Sequence, residues 1–325
     1  MFRRAITSTL ALLLLVVSLV SAPVSGASVT GGNGIKLSPI KYNLTMNPGT
    51  SKTIVFNVEN VTKSTATYTA VVSDFTADNV NGTPQLIVKS NKYDPYSIKK
   101  FISPIPNFSV NGGQTAQVKV NITIPSSIAG GGYYGAIRFL VINPNTGQTV
   151  NISASVAGLV LLTVPGPALN ENMSLVSFNA AQNGSNGGLF YSNRGIDMVA
   201  RFSNSGNVQL APFGKITVKN MSGDTIETKT INSSNPPGNV LPGSDRDFNV
   251  PLSHLGSFGK YTVSGYFGYG NKGQLLSATT SFYVVAPWMI ILAIIIVVLI
   301  LIAIFFAPRI FRAWYKRSIR KVKQA

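Results

Sequence analysis

Residues 118–124 read VKVNITI, a strict alternation of β-branched apolar side chains with polar ones. Successive side chains of a β-strand point to opposite faces, so this pattern predicts a strand that buries one face and exposes the other to water. Residues 54–58, IVFNV, show a similar alternation, and residues 68–72 and 135–142 are further candidate strands. The chain around residues 118–124 is therefore predicted to be built from β-strands.

Turn signals rich in Asn, Pro and Gly separate these segments. They stand at Asn47-Pro48-Gly49, Asn81-Gly82, Asn111-Gly112-Gly113, Asn145-Thr146-Gly147 and, further on, Ser222-Gly223-Asp224. Many short strands with tight turns and no helical stretch are typical of immunoglobulin-like sandwiches. The predicted fold class is all-β: two immunoglobulin-like β-sandwich domains, residues 35–166 and 168–285, followed by one transmembrane α-helix.

A loose internal echo supports two copies of one architecture. A turn containing glycine precedes an alternating strand at Pro48-Gly49, at Gly112-Gly113 and again at Pro242-Gly243. Because tight turns recur in any sandwich, the echo adds only modest weight to the prediction of two similar domains.

Residues 288–307 read WMIILAIIIVVLILIAIFFA, without a charge, a glycine or a proline. At about 1.5 Å rise per residue, such a helix is about 30 Å long, which matches the hydrocarbon core of a bilayer. We predict a transmembrane helix at 287–307. At the other end, Arg3 and Arg4 followed by an apolar run and small residues predict a secretory signal peptide over residues 1–27.

The remaining 18 residues, 308–325, carry seven Lys or Arg and no acid, which predicts a basic cytoplasmic tail. This tail either forms an amphipathic helix on the inner leaflet or is a disordered stop-transfer segment. Eight residues are predicted to anchor the chain at the two membrane interfaces. They are Trp288, Arg309, Arg312, Trp314, Tyr315, Lys316, Arg317 and Arg320.

Composition limits the chemistry that the chain can perform. Its 325 residues include no cysteine, which excludes disulfides and cysteine-ligated metals. Of the formal net charge of +17, Arg3, Arg4 and the tail contribute +9; the part between is mildly basic and its lysines are scattered singly, so nucleic acid is not a predicted partner. No cofactor is predicted.

Several segments carry a resemblance to a known family. In the first half they are SPIKYNLTMNPGTSKTIVFNVEN and VNGGQTAQVKVNITIPSSIAGGGYYGAIRF; in the second they are FSNSGNVQLAPFGKITVKNMSGDTI, NVLPGSDRDF, FGKYTVSGYFGYG and SFYVVAPW. Together with the order of signal, two β-domains, helix and basic tail, they resemble bacterial WxL-interacting surface proteins. The resemblance implies a peptidoglycan-binding first domain and a second domain that binds a host ligand or a partner protein.

Candidate catalytic residues are few. His254 is the only histidine, and we interpret it as a loop residue without a metal. Asp245 and Asp247 share one face of a strand, which would suit acid–base work or Ca²⁺ binding. We interpret them as turn acids that cap backbone N–H groups. Neither a catalytic residue nor a metal ligand is therefore predicted.

Tyr93 and Tyr96 lie in the irregular stretch 91–106, where loops commonly carry function, and they are the predicted binding residues. The predicted protein is a non-enzymatic, single-pass cell-surface protein with its β-domains outside. Its predicted partners are the lipid bilayer, peptidoglycan or another wall polymer, and a partner surface protein. Two alternatives are an accessory subunit or assembly chaperone of a surface complex, and a membrane-bound hydrolase.

Overall fold

The computed structural model describes residues 29–31, 34–87, 94–142 and 155–322. The predicted signal peptide and Tyr93 lie outside these residues. Ten strands form the first half of the described chain. They are β1 (Val29–Gly31), β2 (Ile35–Ser38), β3 (Lys41–Thr45), β4 (Ser51–Asn60), β5 (Ala66–Ala77), β6 (Pro84–Ile87), β7 (Phe108–Val110), β8 (Thr115–Thr123), β9 (Gly131–Ile142) and β10 (Ser155–Val164).

These strands form two sheets, in the orders β1-β2-β4-β8 and β3-β10-β9-β5-β6, with β7 added beside β5. The strands pair antiparallel except for β3, which runs parallel to β10. Both sheets turn apolar side chains toward one core, including Phe56 on β4, Val120 on β8 and Phe139 on β9. The alternation predicted for residues 118–124 is confirmed, since Val118, Val120 and Ile122 are buried.

Nine further strands and one helix follow. They are β11 (Met173–Gln182), β12 (Ser185–Asn186), β13 (Leu189–Phe190), β14 (Ile196–Asn204), β15 (Phe213–Lys219), β16 (Thr225–Ile231), β17 (Asp245–Pro251), β18 (Phe258–Tyr269), β19 (Gln274–Val285) and α1 (Pro287–Val322). Two sheets, β12-β11-β14-β17 and β13-β19-β18-β15-β16, enclose a second core around Phe202, Phe267 and Phe282. The predicted all-β fold with two sandwiches and one helix is confirmed. We call β1–β10 the first sandwich and β11–β19 the second.

In both sandwiches a buried asparagine at the end of a strand is hydrogen-bonded to a glycine turn. Asn60 ends β4 and Asn204 ends β14, and both side chains are fully buried. Each residue exchanges backbone hydrogen bonds with a glycine turn: Gly113 donates to Asn60, and Gly243 donates to Asn204, both at 2.8 Å. The sequence echo between Gly112-Gly113 and Pro242-Gly243 thus marks equivalent turns. The turn at Pro48-Gly49 precedes β4 itself and lies at the other end of that strand.

The helix α1 continues beyond the predicted apolar span. Its segment Pro287–Pro308 has a mean hydropathy of 3.7, no part of it is buried in the protein, and its length suffices to cross a bilayer. The helix does not end at residue 307, because it passes through Pro308 and reaches Val322. The described backbone of the basic tail is therefore helical, as in the first of the two alternatives. Leu, Ile, Ala, Lys and Arg favour a helix on both sides of Pro308.

Glu227, on β16 of the second sandwich, is a buried acid. The Glu227 side chain is 3% exposed, and its Oε2 accepts the N–H of Ser253 at 3.0 Å. The ammonium group of Lys229 lies 3.1 Å from its Oε1. Burial opposes ionisation of the carboxyl group, but the Ser253 N–H and the Lys229 ammonium outweigh burial and hold the pKa of Glu227 below its ordinary value of 4.5.

We predict that Asn204→Ala lowers the free energy of unfolding by roughly 2–4 kcal/mol, because the Asn204 side-chain amide donates to the buried carbonyls of Val208 and Val240 and accepts the N–H of Gly206. Urea unfolding of the detergent-solubilised chain, followed by circular dichroism, measures the change. The matched control is Asn249→Ala, an exposed position on β17, for which we expect a change within about 0.5 kcal/mol. Equal stability of the two variants would contradict this account of the buried amide.

We predict that Glu227→Gln lowers the melting temperature at neutral pH and that the difference from the wild type disappears in acid. The folded-state pKa lies below 4.5, so the stabilisation is present above that pH and is lost as the pH falls through the folded-state pKa. Thermal melts over a pH series measure the difference. The control Glu59→Gln removes an exposed ion pair with Lys36 and should change little at any pH. A pH-independent difference for Glu227→Gln would oppose the prediction.

Candidate functional site

Tyr96 lies in a segment that pairs with Tyr134, near the start of β9. Its backbone carbonyl accepts the N–H of Tyr134 at 2.6 Å, and Ser97 forms an isolated parallel bridge with Tyr134. The Tyr96 N–H donates to Asp94 Oδ1 at 2.8 Å, and the rings of Tyr96 and Tyr134 lie 6.3 Å apart between centroids. Tyr96 is 37% exposed. The structure thus places the predicted residue Tyr96 on an ordered segment with part of its ring facing solvent.

A buried carboxylate fastens this segment to the first sandwich. Asp74 on β5 accepts the hydroxyl of Ser97 at 2.6 Å through Oδ1 and the ammonium of Lys99 at 2.6 Å through Oδ2. Asp74 is only 6% exposed, so these partners replace the water that the carboxylate would otherwise bind. Lys100 lies 5.1 Å from the centre of the Phe101 ring and 5.7 Å from that of Tyr133. These contacts fix the segment that carries Tyr96 to the first sandwich.

A cavity of about 300 Å³ opens beside Tyr96. Phe75, Asp94 and Tyr134 of the first sandwich line one side, and the turn of residues 241–244 of the second sandwich lines the other. The Tyr134 hydroxyl is itself buried, and burial raises its pKa, so Tyr134 contributes its ring to the cavity wall. The cavity combines aromatic rings with the carboxylate of Asp94, groups that suit an uncharged polar ligand such as a sugar.

The sequence did not single out Asp74, Phe75, Asp94 or Tyr134 as parts of one site. They come from β5, from the segment before a short 3₁₀ helix, Lys99–Phe101, and from β9, and only backbone pairing brings them together. The Tyr133-Tyr134 pair was visible as the start of a buried strand, but alternation alone assigns no partner to either ring.

The two sandwiches meet along this side of the molecule. Leu241 of the second sandwich packs into a small apolar cluster with Phe75, Tyr134 and Leu161 of the first. Backbone hydrogen bonds join the sandwiches directly, from Gly132 N–H to Asn207 at 2.7 Å and from Asp247 N–H to Val80 at 2.7 Å. The cavity beside Tyr96 is therefore part of the joint between the sandwiches.

Asp245 and Asp247 share one cationic partner. Arg201 Nη1 donates to Asp247 Oδ1 at 3.0 Å, and Nη2 donates to Asp245 Oδ2 at 3.2 Å and to the Asn79 carbonyl at 2.8 Å. The two side chains do lie on one face of β17, as their spacing predicts. They bind Arg201, however, and not the backbone N–H groups that we expect turn acids to cap, because β14 pairs with β17 and places Arg201 opposite Asp247.

His254 is an exposed residue beside the buried Glu227, with its Nδ1 3.3 Å from Glu227 Oε1. Within the described ranges, no group of three or more His, Cys, Asp or Glu side chains is arranged to hold a metal ion. These positions match the interpretation of His254 as a loop residue of the second sandwich.

The predicted membrane anchors lie along α1. Trp288 stands in its first turn and is 57% exposed. Seven others lie on the helical backbone beyond residue 308, and their side chains are outside the described part of the structure. They are Arg309, Arg312, Trp314, Tyr315, Lys316, Arg317 and Arg320.

Solved structures with a similar arrangement of strands include fimbrial chaperones. The class 5 fimbriae chaperone CfaA shares 15% identity over 76% of this chain and 98% of its own, with a TM-score of 0.36. The Escherichia coli chaperone DraB shares 14% identity over 77% and 96%, with a TM-score of 0.32. The Pseudomonas aeruginosa chaperone CupB2 shares 9% identity over 75% and 98%, also at 0.32. At these TM-scores the likeness carries no argument about function.

The comparison with curated proteins gave no match. A family model does match, and it covers residues 33–141, which include the strands from β2 to most of β9 and the segment that carries Tyr96. That model describes the WxL Interacting Protein, peptidoglycan binding domain. The resemblance noted from the sequence is thereby confirmed over residues 33–141, which match the family model of the peptidoglycan-binding domain of WxL-interacting proteins.

Proposed function

We propose that this protein is a membrane-anchored surface protein that binds a peptidoglycan-like wall polymer through its first sandwich, without catalysing a reaction. The observation that carries the proposal is the family match over residues 33–141. The cavity beside Tyr96 lies within that match on its first-sandwich side and offers a partly exposed ring next to the carboxylate of Asp94. Aromatic rings stack on the apolar faces of sugars, while carboxylates accept hydrogen bonds from sugar hydroxyls.

The same family name supports a second role, in which the protein also binds a partner surface protein. We propose that the second sandwich contributes to binding this partner, because several apolar side chains are exposed on its β13-β19-β18-β15-β16 sheet. Phe213 is 56% exposed, Tyr266 60% and Leu275 82%. The register of β15, β18 and β19 places them as neighbours on one face. Exposed apolar groups of this kind commonly mark a protein-binding surface.

We propose the division of the chain made from its sequence. Residues 1–27 are a signal peptide, 35–166 and 168–285 are the two domains, 287–307 cross the membrane, and 308–325 are cytoplasmic. One apolar helix after a wall-binding domain fits a single-pass surface protein. The basic residues after the span agree with the excess of Lys and Arg on the cytoplasmic side of membrane proteins.

The end of the second sandwich that adjoins α1 also suits a membrane surface. Only Ala286 separates β19 from α1, and its N–H donates to the Ser257 carbonyl at 2.9 Å. Near this connection Phe258 is 54% exposed and Tyr283 is 48% exposed. Amphipathic aromatic residues are favoured where the headgroups meet the acyl chains. These exposed rings support a position of the second sandwich close to the bilayer.

Tyr96→Ala should weaken retention of the full-length protein on purified peptidoglycan sacculi about tenfold, because the exposed ring supplies stacking area. Co-sedimentation in detergent measures the bound fraction. The matched control is Tyr191→Ala, a 55% exposed tyrosine of the second sandwich, which should bind as the wild type does. If the wild type itself does not sediment with sacculi, wall binding is wrong. If the wild type sediments and Tyr96→Ala sediments equally well, the polymer binds elsewhere on the first sandwich.

The absence of cysteine from all 325 residues makes single-cysteine labelling a clean test of topology. Ser222→Cys, in an exposed turn of the second sandwich, should react with a membrane-impermeant maleimide on intact cells. Ser318→Cys, in the basic tail, should react only after the membrane is permeabilised, since the tail is proposed to be cytoplasmic. The cysteine-free wild type is the control for background labelling. Labelling of Ser318→Cys on intact cells would reverse the proposed orientation.

A further inference from the structure

A second cavity lies in the joint between the sandwiches, and we call it the joint cavity. Its volume is about 360 Å³, at the lower end of the range for small-molecule sites. Ile40, Phe75, Leu159 and Leu161 of the first sandwich and Leu241 of the second supply apolar walls. Two cationic side chains, Lys41 and Arg246, line the same space. An apolar cavity with two cations favours ligands that carry a negative charge at one end and are apolar elsewhere.

Lys41 begins β3 of the first sandwich and reaches toward the second. Its Nζ donates to the Pro237 carbonyl at 2.7 Å, which is a neutral partner. None of the ion pairs among the described residues includes Lys41. Burial lowers the pKa of Lys41, and the nearby charge of Arg246 lowers it further. The ammonium group therefore lies in surroundings that disfavour its charge.

Arg246 lies on β17 of the second sandwich. Its Nη1 donates to the Asn239 carbonyl at 2.9 Å, and its Nε is buried without an acceptor among the described atoms. Gly82 and Gly238 lie close against the guanidinium group, so that a Cβ on either would come within 2.9 Å of it. The chain thus leaves room for this side chain at the joint and gives it a neutral acceptor and the Phe248 ring, 5.2 Å from its Cζ, but no ion pair among the described residues.

Asp78 is the acid whose charge is felt by Arg246, but its carboxylate is hydrogen-bonded to backbone N–H groups. The Asp78 carboxylate attracts the Arg246 charge without forming an ion pair with it in the described part of the chain. Its oxygens accept the N–H groups of Val80, Asn81 and Thr83, and these bonds hold the pKa of Asp78 at about 2. The joint cavity therefore keeps an uncompensated positive charge beside apolar walls. Such a charge is costly unless an anion neutralises it.

We propose that the joint cavity binds a ligand that ends in a carboxylate next to a small apolar side chain, with the carboxylate between Lys41 and Arg246 and the side chain against the apolar wall. Carboxylates match the planar guanidinium group in geometry and charge. The shared chemistry is the terminal carboxylate, which a protein C-terminus and a wall peptide both provide. The proposal does not depend on sugar binding at Tyr96, which lies at a different cavity.

The test uses the full-length protein in detergent micelles and isothermal titration calorimetry. The probes are N-acetyl-L-alanyl-L-alanine and N-acetyl-D-alanyl-D-alanine, each as the free acid and as the C-terminal amide, and inorganic phosphate. We expect at least one free acid to bind and its amide to bind more weakly by about tenfold or more, because the amide lacks the charge. Preference for the L form identifies a protein C-terminus as the source, and preference for the D form identifies a wall peptide. Binding of phosphate alone, or of acid and amide equally, would overturn the proposal.

Variants separate binding from a merely structural role of the two cations. Lys41→Met keeps the length and apolar stem of the side chain, and it should weaken binding of the preferred acid about tenfold. Lys41→Arg keeps the charge and should bind within about threefold of the wild type. The matched control Lys52→Met removes an exposed lysine of the first sandwich and should leave binding unchanged. Circular dichroism confirms that each variant is folded. Unchanged binding by folded Lys41→Met and Arg246→Gln would contradict the proposed site.

Discussion

The contact between the two sandwiches is the constraint on which both candidate sites depend. Leu241 inserts beside Phe75, Tyr134 and Leu161, and the backbone of Gly132 bonds directly to Asn207. Apolar burial gives this joint its stability, and the direct backbone bonds give it a definite register. Neither the cavity beside Tyr96 nor the joint cavity is lined by one sandwich alone. A shift of one sandwich against the other would change both.

Charge in the joint is distributed unevenly. Arg201 binds Asp245 and Asp247 and also the Asn79 carbonyl of the first sandwich, so its charge is neutralised within a network that crosses the joint. Arg246, the residue between those two acids, has a neutral acceptor, the Phe248 ring and the nearby charge of Asp78, but no ion-pair partner among the described residues. Successive side chains of β17 point to opposite faces, which sends the two acids to one side and Arg246 to the other. The same short segment therefore supplies both the two acids that bind Arg201 and a cation without an ion pair among the described residues.

Much of the fold was predictable because its signals are local. The alternation of residues 118–124 and the turn at Ser222-Gly223-Asp224 each depend on a few consecutive side chains, and the structure has a strand and a hairpin there. The helix was predictable from hydropathy, but its continuation through Pro308 was not, because a proline usually marks an end. The short hairpin strand Ser185–Asn186 was also missed in a stretch that resembles a polar loop.

The sequence by itself determined the class of this protein: strands of alternating polarity, one apolar helix of bilayer length, and no cysteine with which to build disulfides or thiolate metal sites. It also placed Tyr96 on an irregular segment. Only the tertiary structure decided what Tyr96, Lys41 and Arg246 have around them. Their neighbours come from strands far apart in the chain, and side-chain alternation says which face is buried without saying which residues meet across the joint.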